Sequence, residues 1–259
     1  MTFRATHTAL PYPRHNRPAL RALRAAACVL ALSALLAPRA AAQVGESRRT
    51  ISIGAGAGVA MNSVGFDPTV KQGLHIGPTF GIAARFTSEK YFSTYCALQL
   101  EVNLSQLGWR ENVLNSQSEP LPDTYRRDIY YMQLPMLARL GWGRERKGLM
   151  GYFLAGPQIG WCVGEKTRQS AFTLNADGTP DRPSGTCEQY DLSVQRKFDY
   201  GITAGLGAEL STATGHFLLE GRYYYGLSDI FDNAKKDPFG RSNNGTIVVK
   251  VTYLFDIRK

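Results

Sequence analysis

Apolar and polar residues alternate along eight segments of the chain. In ISIGAGAGVAM at 51–61, the apolar side chains of Ile51, Ile53, Val59 and Met61 fall on one face, opposite serine and glycines. A period of two predicts a β-strand, whereas no stretch after residue 42 has a convincing helical period of 3.6. The eight segments are 51–61, 73–86, 95–107, 130–142, 151–163, 198–210, 216–227 and 246–257.

Each segment is roughly as long as a tilted membrane-spanning β-strand, which needs about 9–11 residues. Short connections lie at 87–92, 143–148 and 211–215, and long ones at 62–72, 109–125, 164–196 and 229–244. Short periplasmic turns and long extracellular loops are typical of outer-membrane barrels. The sequence therefore predicts an all-β, eight-stranded, antiparallel up-and-down transmembrane β-barrel with both termini on the periplasmic side.

The first 42 residues differ from the rest of the chain. Five arginines precede the apolar run at 25–37, and PRAAAQ follows it. A basic region, a short apolar region and a small-residue cleavage site predict a secretory signal peptide at 1–42 and a barrel domain at 43–259. The run is too short for a helix that spans a bilayer, which is the alternative of a retained anchor.

The signal peptide also accounts for most of the positive charge. The whole chain has 30 basic and 21 acidic residues, a net charge of +9. Without the six arginines of 1–42, 24 basic residues remain and the net charge falls to +3. Nucleic-acid binding thereby loses its main support, and the expected partners are outer-membrane lipid and cell-envelope or secretion proteins.

The polar face of the strands carries nearly balanced charge. Its four basic and three acidic residues are Arg85, Glu101, Arg139, Glu209, Glu220, Arg222 and Lys250. A soluble eight-stranded barrel such as a lipocalin would be apolar inside and polar outside. Balanced charges instead suit the interior of a narrow membrane barrel, where an unpaired buried charge is costly. We expect one ion-pair network in the lumen, with Arg139 and Arg222 near Glu101, Glu209 or Glu220.

Aromatic residues stand at both ends of the apolar faces. Those near the outer rim are Tyr130, Trp161, Tyr200, Tyr223 and Tyr225. Those near the periplasmic rim are Phe86, Trp142, Phe153, Phe217, Tyr253 and Phe255. Two such girdles are expected where amphipathic rings meet the lipid headgroups.

Three prolines interrupt the predicted strands. Pro135 lies in the middle of YYMQLPMLARLGW, and Pro78 and Pro157 lie in two other strands. Proline cannot donate a ladder hydrogen bond, and a closed barrel has no edge strand. The sequence predicts a bulge or a missing hydrogen bond at Pro135; the alternative is that one of these segments does not belong to the wall.

The segment YYMQLPMLARL resembles the strand signature of the PorT-like outer-membrane β-barrel family, roughly Tyr-Leu-Glu-Ile-Pro-Leu-Leu-Leu-Lys-Tyr. Gln133 matches the acid of that signature, Pro135 its proline and Arg139 its lysine. YFLAGPQIG, GITAGLGAEL and EGRYYYGLSDI resemble later strands of the family. The resemblance covers about 50–259 and implies an outer-membrane barrel that is an accessory of surface-protein secretion.

The residues themselves favour no catalytic or transport chemistry. His75 and His216 are the histidines after residue 42, and neither has an obvious Ser/His/acid setting. We expect no enzyme activity, no cofactor and no metal site. Side chains fill an eight-stranded barrel, so a passive channel is not expected. The alternative function is a surface receptor or adhesin that binds ligands through the long loops.

Cys162 and Cys187 are the candidate disulfide pair. Cys162 ends a strand at the outer rim, Cys187 lies in the following long loop, and the outward parity of Cys96 directs it to lipid. Exported proteins keep disulfides, so a bridge that holds the 164–196 loop over the barrel mouth is predicted. Two free thiols are the alternative, because spacing alone does not establish a bridge.

Overall fold

The computed structural model describes residues 46–91, 93–114, 119–143, 148–171, 176, 188–190 and 192–258. The predicted signal peptide, 1–42, lies outside these residues. Among the described residues, no helix is long and apolar enough to cross a membrane.

Nine β-strands and one 3-10 turn make up the described chain. The strands are β1 Glu46–Asp67, β2 Gln72–Gly73, β3 His75–Tyr91, β4 Thr94–Leu114, β5 Pro120–Gly143, β6 Gly148–Gln169, β7 Phe198–Ser211, β8 His216–Asp229 and β9 Arg241–Arg258. The 3-10 turn is Glu188–Tyr190.

The eight long strands form a closed antiparallel ring. Sequential long strands pair with each other, β4 pairs with β5, and β1 pairs with β9 to close the ring. The short β2 pairs only with the outer part of β4. The predicted eight-stranded barrel is confirmed, with β2 as an addition to it.

The alternation along each strand sets which side chains face outward. Leu98, Val102 and Met136 are 40–43% exposed on the outer surface, whereas Glu101 and Arg139 are 4% and 2% exposed. Apolar side chains are thus outside and charged ones inside, the reverse of a soluble barrel. This arrangement suits a wall that is surrounded by lipid.

Pro135 lies within the wall and leaves the strand register intact. The β4–β5 pairing runs from Leu100↔Met136 to Asn103↔Gln133 without a shift. The β5–β6 pairing likewise keeps its register from Pro135 to Ala138. The expected bulge is therefore absent at Pro135, but Leu134 and Pro135 have no paired residue on β4, which agrees with the alternative of a missing ladder hydrogen bond. Pro78 and Pro157 also pair in register, opposite Val59 and Ile202, so these segments do belong to the wall.

The strands extend well beyond the predicted outer rim, and this corrects the predicted loop at 109–125. β4 and β5 stay paired from Gly108↔Asp128 to Leu114↔Pro120. In this stretch apolar side chains such as Trp109 and Tyr125, each 0% exposed, also turn inward, beside the buried charges of Glu111, Asp123 and Arg127. The predicted strands were recognised by apolar residues at alternate positions on one face. Beyond the outer rim the apolar residues lie on the other face of the same strands, so the prediction ended before this outer extension.

Candidate functional site

All seven predicted charges lie inside the barrel, but among the described residues their ion pairs form two groups and not the single network that was expected. All are 5% exposed or less, because each occupies an inward position of its strand. β3 carries Arg85, β4 Glu101, β5 Arg139, β7 Glu209, β8 Glu220 and Arg222, and β9 Lys250.

The first group, the periplasmic cluster, surrounds Glu209. Arg85 Nη1 donates to both carboxylate oxygens, at 2.9 and 2.8 Å, and Arg139 Nη2 donates to Oε2. His216 Nδ1 lies 2.7 Å from Oε1. His216 Nε2 lies 3.2 Å from Asp256 Oδ1. One carboxylate therefore compensates two buried guanidinium groups at the base of the barrel.

The second group, the central cluster, contains Glu101, Glu220, Arg222 and Lys250. Arg222 donates to both acids, with 2.9 Å from Nη1 to Glu101 Oε2. Lys250 Nζ lies 3.0 Å from the same Oε2 and 2.7 Å from the side-chain oxygen of Asn103. Two cations and two anions balance each other here, and charge-assisted hydrogen bonds of this kind are the stronger ones.

Tyr152 connects the two clusters. Its ring centroid lies 3.4 Å from the Arg139 guanidinium carbon, and its hydroxyl donates to Glu220 Oε1 at 2.8 Å. Gly207 makes room for the ring, since a Cβ there would lie 2.3 Å from Tyr152 Cζ. Sequence reasoning missed Tyr152, although its inward parity on β6 was the signal that could have found it.

The outer end of the lumen has a different filling, which we call the outer plug. Among the described residues its six buried rings are Phe66, Trp109, Tyr125, Tyr131, Phe231 and Phe239. Phe66 lies 5.2 Å from Trp109 and 5.1 Å from Phe239 between ring centroids. Phe231 and Phe239 come from the connection between β8 and β9, which was predicted to be an external loop. That connection instead packs its rings into the barrel mouth.

Both histidines have acidic partners, contrary to the expectation from sequence. His75 Nε2 lies 2.7 Å from Asp128 Oδ1 in a buried pair near the outer end. Within the described residues, no hydroxyl or thiol hydrogen-bonds to either nitrogen of His75. A nucleophile of the kind that catalytic triads need is thus missing from this pair.

His216 also lies near a serine at the periplasmic end of the barrel. Ser211 Oγ is 3.1 Å from His216 Nδ1, and Asp256 faces the other ring nitrogen. The same Nδ1 lies closer to Glu209, at 2.7 Å. The His216 ring therefore lies between two carboxylates, Glu209 and Asp256, with Ser211 beside Nδ1.

The predicted girdle aromatics lie on the outer wall. Ten of the eleven are 38–50% exposed, and Tyr253 is half-buried. Trp142 Nε1 donates to Thr94 Oγ1 at 2.9 Å, and the Tyr253 hydroxyl donates to the Thr214 carbonyl at 3.0 Å. Phe198, missed as a girdle residue, lies about midway between Trp161 and Tyr200, with ring centroids 6.2 and 6.1 Å away.

The disulfide prediction falls partly outside the described chain. Cys162 is buried, and its Sγ lies 3.6 Å from the Gly164 carbonyl oxygen. Cys187 lies outside the described residues. The bridge between them therefore stays a prediction.

A family model described as outer membrane protein beta-barrel domain matches residues 41–232. No curated protein matches the chain.

Three solved structures of small outer-membrane proteins illustrate the likeness in fold. Ail, the attachment invasion locus protein of Yersinia pestis, is 14% identical over 81% of this chain and 99% of its own, with a TM-score of 0.35. OprG from Pseudomonas aeruginosa is 13% identical over 82% and 96%, with a TM-score of 0.37. Neisserial surface protein A is 14% identical over 78% and 96%, with a TM-score of 0.35.

Proposed function

The chain belongs to the outer membrane protein beta-barrel domain family of bacterial outer-membrane proteins, and from this premise we propose that it is a non-enzymatic, non-conducting barrel that acts through contacts with other envelope proteins. The observation that carries this proposal is the double closure of the lumen. The charged clusters fill the membrane zone, and the outer plug fills the mouth.

A conductance measurement tests the closed lumen. The mature chain, inserted in a planar lipid bilayer, is expected to give no stable open-channel steps. A variant that combines Phe231→Ala and Phe239→Ala with Arg139→Ala and Tyr152→Ala removes side chains from both closures and is expected to leak. Regular channel steps from the unaltered chain would contradict the proposal.

The finer role that we propose is an accessory of surface-protein secretion. A sealed barrel offers no passage for a polypeptide, so an accessory role requires contacts at its rims or wall. The resemblance of the Gln133, Pro135 and Arg139 segment to PorT-like barrels supports this role. A strain that lacks the protein is expected to retain surface proteins inside the cell, whereas its parent exports them. Equal export by both strains would overturn the secretion role.

A receptor or adhesin role is the second candidate, and the outer extension favours it. β4 and β5 continue as a paired hairpin beyond Tyr130, so the extracellular end is folded and can present a defined surface. Defined surfaces lose less entropy on binding than flexible loops do.

A shortened hairpin separates the two roles. The variant replaces 111–124 with a two-residue turn and leaves the membrane zone unchanged. Loss of cell-surface ligand binding with normal export would identify the receptor role. Normal ligand binding with impaired export would identify the secretion role.

A further inference from the structure

Three arginines lie in one row across the outer wall of the barrel, just above the outer girdle. In the register of the sheet, Arg110 of β4 is directly opposite Arg126 of β5, and Arg126 is directly opposite Arg168 of β6. Like charges directly opposite each other on one face destabilise a sheet. An anion bound over the three arginines would offset this repulsion.

A bulge in β6 puts the third arginine on the outer face. The register shifts at Tyr130 and Tyr131, which pair with Gly164 and Cys162 and leave Val163 as an extra residue. Beyond this bulge the even-numbered residues of β6 face outward, so Lys166 and Arg168 join the row. The odd-numbered residues of β6 beyond the bulge face inward, since Glu165 pairs with the buried Arg127.

A single buried acid holds two of the guanidinium groups near the membrane. Arg126 Nε donates to Asp128 Oδ1 at 2.7 Å, and Arg168 Nε lies 3.9 Å from Oδ2. Burial acts to raise the pKa of Asp128, but hydrogen bonds from His75, Arg126 and Gln106 outweigh it and hold the pKa below its usual range. Asp128 therefore stays ionised and draws both arginine side chains toward the lipid.

The charge of this surface is not balanced. We call Arg110, Arg126, Lys166 and Arg168 the basic row; Asp128 is the acid beneath it. Arg168 is 63% exposed at its side chain, and Arg110 and Lys166 are also exposed. Within the described part of the chain, no acid forms an ion pair with Arg110. Four cations against one anion leave a net charge of +3 on one face.

The height of the basic row identifies the anion. Arg126 is four residues beyond the girdle residue Tyr130, about 13 Å along the strand at roughly 3.3 Å per residue, and a strand tilt of about 40° reduces this to about 10 Å along the membrane normal. Headgroups extend about 5–7 Å beyond the hydrocarbon on each side. Because Asp128 draws Arg126 and Arg168 inward, their guanidinium groups lie at the level of outer-leaflet headgroups.

We propose that the basic row binds the phosphate groups of lipopolysaccharide in the outer leaflet. Planar guanidinium groups bind phosphate through paired hydrogen bonds, and neighbouring strands lie about 4.8 Å apart, so three arginines in register reach one phosphorylated sugar together. The bound lipid supplies the counter-charge that the row lacks.

Lipid binding by the folded mature chain tests this site. The chain is placed in nanodiscs of zwitterionic phosphatidylcholine and titrated with bisphosphorylated lipid A, and retained lipid is counted by native mass spectrometry. The variant R110A/R126A/R168A is expected to bind at least tenfold more weakly. Arg196→Ala is the matched control, because Arg196 is a surface arginine that already pairs with Asp232 at 2.9 Å; it should bind as the unaltered chain does.

Two further arms identify the ligand chemistry. Dephosphorylated lipid A should bind the unaltered chain and the triple variant equally weakly, and millimolar inorganic phosphate should not displace lipid A. Arg126→Lys, which keeps the charge but not the planar fork, should bind between the two extremes. Equal lipid A binding by the triple variant, equal loss in Arg196→Ala, or displacement by inorganic phosphate would overturn the proposal. Heat-modifiable migration on gels verifies that every variant is folded.

Discussion

The lumen is filled differently in the membrane zone of this barrel, which ends at Tyr130, and in the outer extension above it. In the membrane zone the inward residues are charged, as Glu101, Arg139 and Glu209 are, and the outward residues are apolar. Above Tyr130 the same strands turn apolar residues such as Trp109 inward, beside the buried Arg127, and place Arg110 and Arg126 on the outer face. The register of β4 and β5 is continuous through both zones, from Asn103↔Gln133 to Asn112↔Thr124, so the difference along these strands comes from the surroundings of the wall.

This difference indicates which interactions stabilise each zone. Where water surrounds the wall, burial of apolar surface drives the rings of the outer plug together. Where lipid surrounds the wall, apolar side chains gain nothing by moving inward, and polar groups are satisfied only by each other. We therefore expect the membrane zone to depend on charge pairing and the outer extension on apolar volume.

Replacing Glu209 should have the largest effect. Glu209→Ala leaves Arg85 and Arg139 buried without their shared counter-ion, and removing one partner of a buried pair costs about 3–5 kcal/mol. Thermal unfolding in detergent micelles, followed by the circular dichroism of the β-sheet, measures the change. Asp232→Ala is the control, since its half-exposed pair with Arg196 contributes about 0–1 kcal/mol. Equal stability of the unaltered chain, Glu209→Ala and Arg139→Ala would contradict the network.

Truncating the outer plug should have a smaller effect that stays in the outer extension. Phe231→Ala removes a fully buried ring, at a cost of about 3 kcal/mol. Protease cleavage within 230–240 should become faster, while the heat-modifiable migration of the folded barrel is retained. Phe231→Leu keeps most of the volume and should cost less than about 1.5 kcal/mol. Loss of the whole barrel in Phe231→Ala would show that the two zones do not unfold separately.

A methyl group at Gly207 should separate the two charged clusters. Gly207→Ala forces the Tyr152 ring to move, because a Cβ there would lie 2.3 Å from it. Overpacking of this kind costs about 1–3 kcal/mol. The control is Gly221→Ala, since a Cβ at Gly221 has nothing within 4 Å. In a Tyr152→Ala background the cost of Gly207→Ala should largely disappear; a cost that persists there would assign it to another contact.

The sequence predicted the wall better than it predicted what fills the barrel. Parity alone placed Arg139 and Glu209 inside, because a period of two fixes the face of every strand residue. Which of these charges pair depends on the register between strands, and the alternation of apolar and polar residues does not specify that register. Arg85 and Arg139 therefore reached Glu209 through a register that only the structure gives.

The outer plug escaped sequence reasoning for a different reason. Ile230 and Phe231 are adjacent and Phe239 stands alone, so no period of two or 3.6 marks their connection. They are buried because the mouth above the charged clusters needs apolar side chains. Burial that depends on tertiary packing produces no periodic pattern in the local sequence. The length of β4 and β5 was underestimated because apolar residues change from even-numbered to odd-numbered positions near Leu107 and Ile129, although odd-numbered residues face inward on both sides of this point.

The smallest predicted effect concerns the boundary between the two zones, where Asp128 faces His75, Gln106, Arg126 and Arg168. The pKa of Asp128 is lower in the folded barrel than its ordinary value of 3.8. A carboxyl with a depressed folded pKa contributes stability that is fully present above its unfolded pKa and is lost as the pH falls through the folded one. The contribution should therefore be intact at pH 5 and decline below about pH 3.8.

Asp128→Asn should flatten this acid-side loss. Unfolding midpoints of the unaltered chain and the variant are compared between pH 5 and pH 3 in the same detergent, and their difference should shrink as the pH falls. Asp232→Asn, in a half-exposed pair, serves as the control and should track the unaltered chain. A difference that stays constant with pH would mean that Asp128 supports the boundary through shape and not through charge. Asp128 is the acid beneath the basic row. Its negative charge stabilises outward-facing arginines next to the membrane zone, where the outward side chains are apolar.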